Sequence, residues 1–241
     1  DGDFDNGIIA HEYTHGISTR LVGGGGGLNS AEQPGEGWSD WAWLMMQIKP
    51  GDTRNDARGI GTYAMNQPTN GPGIREYRYA TDMSVNPHTF ADTNDMWSID
   101  ADGFESVDVH SVGSVWCAVL WDLAWNYIDR YGYDANIYNG TGGNNKVMRL
   151  VLDAMKLTPA NPSLIQCRDA ILQADLNTTV GQAAGQNYCM IWETFARRGM
   201  GLGASSGTNG SDASGIKDQI EAFNVPTPGS TPATGSNCIL A

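Results

Sequence analysis

His11, Glu12 and His15, within the run His11-Glu12-Tyr13-Thr14-His15, are the residue types at the spacing that can hold a metal ion and use it. Helical residues advance about 100° each, so four steps bring His15 to within about 40° of His11, one turn further on. Neutral imidazole suits zinc, and a catalytic zinc takes three protein ligands and keeps a fourth position for water. Glu12, beside the first ligand, stands where a base can take that water's proton. Further on, in Gly35-Glu36-Gly37-Trp38-Ser39-Asp40, Glu36 and Asp40 are four apart and share a helical face. Glu36 is the candidate third ligand. Asp40, one turn on, can accept the free N–H of a ligating imidazole and fix its tautomer.

Two other readings compete for the same stretch. Asp1, Asp3, Asp5, Ile8 and Glu12 fall at the first, third, fifth, eighth and twelfth positions of an EF-hand-like calcium loop. Asn6 stands where that loop needs glycine, and Glu12 cannot serve two metals, so Ca2+ is carried only as a secondary cation. A metzincin would need glycine and a third histidine where this chain has Ser18 and Leu21. That branch is excluded.

HEYTHGIS and GEGWSD, together with the later segments IREYRYATDM and DVHSVGSVWCAVLWDL, resemble the fungalysin family of secreted zinc endopeptidases, relatives of thermolysin. The resemblance runs over most of residues 1–225. It implies one catalytic Zn2+ on His11, His15 and Glu36, Glu12 as base, a protein or peptide substrate and a secreted, extracellular location. It implies that His110 hydrogen-bonds the tetrahedral oxyanion, with Asp108 or Glu105 orienting it. Arg75, in the family's Arg-x-Tyr-x-Tyr segment, is a candidate to pair with a substrate carbonyl. The implied fold is mainly α: the helical zincin lobe of a thermolysin-like metallopeptidase with long irregular cleft loops. The family's upstream β-rich lobe is absent from this chain, so that lobe or a propeptide is an expected partner. One departure is visible, since thermolysin has a tyrosine oxyanion donor just before the third ligand. No Tyr lies between His15 and Glu36, and Tyr77 or Tyr79 is the candidate substitute.

What must position these residues is a chain of 241 residues, one domain or one large lobe. Residues 1–225 read as the catalytic region and 226–241 as a Pro/Thr/Ser/Gly linker or tail. With 14 basic and 27 acidic residues the net charge is −13, which excludes nucleic acid and anionic membrane as partners. No run approaches the roughly 20 apolar residues of a membrane span. Periodicity predicts helices over 7–19, from Glu36 to Ile48, over Val109–Arg130, over Asn145–Leu157, over Pro162–Asp175 with Asn161 as cap, and one ending at Phe195–Arg198. Gly23–Gly27 reads as a flexible connector, 52–107 as cleft-lining loop, His88 as a surface residue and Ile216–Val225 as one short closing element. Of four cysteines, Cys167 and Cys189 are the favoured disulfide and Cys117 a buried small hydrophobe.

Three functional readings follow. The first is a secreted zinc endopeptidase. The second is a zinc-binding but catalytically incomplete fragment, and the third a calcium-stabilised interaction module built on Asp1, Asp3 and Asp5.

Overall fold

The computed structural model describes residues 2–178, 181–208 and 213–226. Six α-helices carry it: α1 (Asn6–Leu21), α2 (Gly35–Gln47), α3 (Val109–Tyr131), α4 (Gly143–Leu157), α5 (Leu164–Asn177) and α6 (Tyr188–Arg197). Among the described residues the only sheet is an antiparallel hairpin, β1 (Trp97–Ile99) with β2 (Glu105–Val107), Ser98 opposite Ser106. The mainly helical class expected from the sequence is the class observed.

α3 is the axis of the molecule. From Val112 to Trp125 every residue is buried, because α2, α4 and α6 pack against it from different sides. A helix apolar around its whole circumference can only sit inside. α1 lies on α2, and α5 joins α4 and α6. The tryptophans fill these seams: Trp38 meets Trp116 edge to face at 6.2 Å, and Trp41 donates its indole N–H to the Leu120 carbonyl at 3.1 Å.

Glycines set how closely the first three helices approach. A methyl group on Gly7 would stand 1.7 Å from the Trp43 ring. One on Gly37 would stand 2.4 Å from the Gly113 carbonyl, and one on Gly113 would stand 2.4 Å from Cβ of Glu36. α2 and α3 therefore touch backbone to backbone at the turn that carries Glu36.

Asp5 starts α1. Its Oδ1 accepts the Gly7 and Ile8 amides at 2.9 and 3.4 Å, and its Oδ2 accepts the Ala64 amide at 3.2 Å. The carboxylate proposed for calcium is thus occupied as a helix cap, and Asp1 lies outside the described residues. The cap of α5 is Ser163, not Asn161. Ser163 and Gln166 form a reciprocal capping box, while Asn161 takes φ +51° in the preceding turn.

The glycine run is docked rather than flexible. Gly23 donates to the Thr158 carbonyl at 3.0 Å, Asn161 donates to the Gly27 carbonyl at 2.7 Å, and both glycines press on Ala160. Its composition serves close approach of two backbones and, at Gly23, a φ of +58°. His88 is also corrected: it is buried, its ring edge to face with Tyr77 at 4.9 Å. The favoured disulfide is not formed. Cys167 and Cys117 are free buried thiols, and Cys189 is disulfide-bonded elsewhere. Cys238 and residues 227–241 of the tail lie outside the described residues. The segment 213–225 forms a 3-10 turn and isolated bridges from Ile220 to Ser205 and from Ala222 to Met200, not one continuous element.

The long region 52–107 has little regular structure but is held firmly. Arg198, with no exposed surface, pairs with Asp122 of α3 and donates to the carbonyls of Ala80, Asn86 and His88 at 3.1, 3.0 and 2.9 Å. A buried guanidinium here takes the place of a sheet ladder, satisfying carbonyls that would otherwise lack donors.

Two consequences can be measured. Gly113→Ala forces α2 from α3 and is expected to lower unfolding free energy by about 1–3 kcal/mol in urea titration. Glu32, fully buried, accepts the Leu164 amide and the Ser206 hydroxyl at 2.9 and 3.0 Å, and burial pushes its pKa from 4.5 up to about 7. The folded state then holds a proton that the unfolded state has lost, so stability falls as pH rises from about 4.5 to about 7. The loss is about 3 kcal/mol. Glu32→Gln should flatten that slope in urea midpoints taken across the same window; an unchanged slope would show that Glu32 is not its source.

Candidate metal centre

α1 and α2 meet so that His11, His15 and Glu36 face one another. The histidines come from successive turns of α1, and Glu36 from the first turn of α2, fixed in place by the Gly37–Gly113 contact just described. His11 Nε2 is 3.1 Å from His15 Nε2 and 3.2 Å from Glu36 Oε2, and His15 Nε2 is 3.4 Å from Glu36 Oε1. A tetrahedral ion with bonds of about 2.0–2.1 Å holds its donor atoms about 3.3–3.4 Å apart. The triangle of donors has that size, and Glu36 Oε2 is buried with no hydrogen-bond donor of its own. Among the described residues this is the group of His, Cys, Asp and Glu side chains placed to hold a metal ion.

Behind this triangle lies Asp40. Its Oδ1 is 2.8 Å from His11 Nδ1, which leaves Nε2 turned toward the other two ligands. The carboxylate is 1% exposed and therefore needs donors of its own. Arg75 supplies two, Nε to Oδ2 at 2.8 Å and Nη2 to Oδ1 at 2.9 Å, and the Tyr79 hydroxyl donates to Oδ2 at 2.6 Å.

The charges are strongly coupled. Burial works against the charged form of His11, but Asp40 and Glu36 outweigh it and raise its pKa to about 9. Burial would likewise raise Glu36, yet the adjoining His11 and His15 rings, with His110 beyond them, hold it well below the usual carboxylate range. Asp40 is also lowered against its burial, by His11 and Arg75. Ionised carboxylates and histidines crowded around one point form a donor set that a divalent cation could share in place of the proton on His11.

The remaining candidates fall as follows. Glu12 is exposed on α1 beside His11. His110, in the first turn of α3, is 59% exposed and reaches Glu36 Oε2 with Nε2 at 3.5 Å, so its ring borders the open side of the triangle. Asp108 caps α3 through the Ser111 amide and hydroxyl, and Glu105 pairs with Lys217 at 2.6 Å. Arg75 is 9% exposed and its fork is turned onto Asp40, with Glu36 a further 3.5 Å contact. Tyr79 has no exposed surface, so its hydroxyl serves Asp40 and not the open side. Spacing along the sequence offered no route to this: the segment from Ile74 to Tyr77 bends, and no helical or strand period marks Arg75 and Tyr79 as sharing one target.

A His-Glu-x-x-His helix completed by a glutamate from a neighbouring helix, with an aspartate behind the first histidine, is the metal-site arrangement of the thermolysin-like class of metallopeptidase. The comparisons narrow the class. The chain belongs to the fungalysin metallopeptidase (M36) family, whose model matches residues 1–204. It is 44% identical over 218 residues to extracellular metalloproteinase 4 of Trichophyton soudanense, covering 85% of this chain and 51% of the relative. It is 42% identical over 237 residues to extracellular metalloproteinase 2 of Arthroderma gypseum, covering 94% and 33%. With extracellular metalloproteinase MEP of Neosartorya fischeri it shares 43% over 215 residues, covering 85% and 31%. The chain thus spans about a third to a half of the length of these relatives.

The pairing of Arg75 with a buried carboxylate gives a stability test. Arg75→Ala leaves Asp40 charged and short of donors, and breaking a buried pair from one side costs about 3–5 kcal/mol. Urea denaturation of the metal-free chain should show a loss of that size; a change under about 0.5 kcal/mol is what an arginine at the surface would give.

Proposed function

We propose that this chain carries the catalytic metal centre of a secreted zinc endopeptidase that hydrolyses peptide bonds of proteins. The observation that carries the reading is the triangle of His11, His15 and Glu36 donor atoms at 3.1–3.4 Å, with His110 Nε2 3.5 Å from Glu36 Oε2. The donor set of two imidazoles and a carboxylate is that of a catalytic zinc site, and the names of the relatives support an extracellular location.

His11, His15 and Glu36 would hold a zinc ion, which when bound would supply Lewis acidity toward a water and the scissile carbonyl. Glu12 takes the proton from the attacking water and delivers it to the departing amine nitrogen. His110, mobile enough at its exposed position to meet substrate, donates to the oxygen that becomes negative in the tetrahedral state. Asp40 keeps the proton of His11 on Nδ1, so that the lone pair of Nε2 points forward. Arg75 keeps Asp40 ionised and in place, acting behind the ligands.

Elemental analysis of the purified chain is expected to give about one zinc per chain, and casein digestion should stop with phenanthroline. Glu12→Gln should abolish digestion and retain zinc, whereas His110→Ala should lower kcat about 10²–10³-fold, the usual effect of removing one oxyanion donor. Zinc without digestion would overturn the endopeptidase reading for this chain and leave a metal-binding fragment; no zinc would overturn the ligand assignment.

A further inference from the structure

Three side chains approach the buried carboxylate of Asp40, and Arg75 and Tyr79 supply its three hydrogen bonds. Oδ1 meets His11 Nδ1 at 2.8 Å and Arg75 Nη2 at 2.9 Å, while Oδ2 meets Arg75 Nε at 2.8 Å and the Tyr79 hydroxyl at 2.6 Å. Tyr79 is the member of this set that the proposed chemistry does not use.

Its surroundings are unusual for a tyrosine that only fills space. The phenol is completely buried, and its hydroxyl donates to Asp40 Oδ2 at 2.6 Å. Tyr79 therefore reaches, through the Asp40 carboxylate, the oxygen that stands 2.8 Å from His11 Nδ1. Bonds in such a chain polarise one another in a low-dielectric interior. The stem is fixed as well, because Tyr79 and Arg58 exchange both backbone hydrogen bonds, at 2.8 and 2.9 Å.

We infer that Tyr79 is a positioning residue for the metal site: from the core side it fixes the rotation of the Asp40 carboxylate and, through it, the orientation of the His11 imidazole. The carboxylate can turn about its Cβ–Cγ bond. The Arg75 fork opposes that turn, but it also stands 3.5 Å from Glu36 and is drawn toward the ligand triangle. Tyr79 holds Oδ2 independently of Glu36. Without its hydroxyl, no water replaces the lost donor in so buried a place, and the contact that aims His11 Nε2 loosens.

The inference rests on the triangle binding zinc, and the test separates the two. Tyr79→Phe removes only the hydroxyl. Zinc affinity of the full chain is measured by chelator competition for wild type, Tyr79→Phe, Asp40→Asn and the double variant, with melting of the metal-free forms alongside. Tyr79→Phe is expected to raise the zinc Kd about tenfold, the lower end of the range for groups behind the ligands. In the Asp40→Asn background the same change should shift Kd by less than about twofold, because its route to the metal is gone. An unchanged Kd in Tyr79→Phe, whatever the melting temperature, would overturn the proposal. So would an equal rise in both Asp40 backgrounds, which would show that Tyr79 acts on the fold at large. A wild-type chain that takes up no zinc would overturn the zinc reading first.

Discussion

The structure depends most on one buried anion. Asp40 sits where α1, α2 and the segment around Arg75–Tyr79 converge, 1% exposed and charged. A carboxylate in that position is tolerable only with full compensation, so the surrounding chain is arranged to deliver donors to it. His11 on α1, and Arg75 with Tyr79 on one later segment, end on the same two oxygens. The proposed metal ligands share this arrangement: His11 stands 2.8 Å from Asp40, and Glu36 is on the same helix as Asp40, four residues earlier.

Around that anion the helices pack in two styles. α1, α2 and α3 approach until backbone meets side chain or backbone, at Gly7 against Trp43 and at Gly37 against Gly113. Elsewhere large rings fill the seams, as with Trp116 of α3 against Phe195 of α6 at 5.7 Å. Close approach near the site and bulky filling away from it serve different ends. The first sets how closely the turn carrying Glu36 approaches α3, so the N–O distances of the site depend on helix placement as well as on side-chain choice. The second supplies apolar burial to a chain that is rich in glycine and acid.

The sequence made the site's first layer legible because it is local. His11, His15, Glu36 and Asp40 are read from spacing on two helices, and helical spacing is a rotation angle. The helix boundaries were near those observed for the same reason, with α3 reaching Tyr131 instead of Arg130. What lies between residues 52 and 107 was not legible, since it has no period to read. There Arg75 is turned inward, His88 is buried, and the carbonyls of Ala80, Asn86 and His88 are held by Arg198 from the far end of the chain. Such pairings are decided by which groups are left unsatisfied once the helices have packed, and a linear pattern does not record that. The cysteines failed similarly: two helical-looking neighbourhoods suggested Cys167 with Cys189, but Cys167 faces into the core as a thiol. Glycine composition also misled at Gly23–Gly27, where the absence of side chains permits contact with Ala160 and not looseness.

Arg198 has a consequence for the order in which the molecule comes apart. Its guanidinium holds carbonyls from Ala80, Asn86 and His88, and its partner Asp122 belongs to the innermost helix. A segment of turns and bends normally opens by itself, well below the free energy of global unfolding. This one can open only by stranding a cation in the core, so it is joined to α3 and α6 as one cooperative unit. Amides around Tyr79 and Asn86 would then exchange with solvent on the timescale of the central helix, although nothing in their secondary structure distinguishes them from a surface loop.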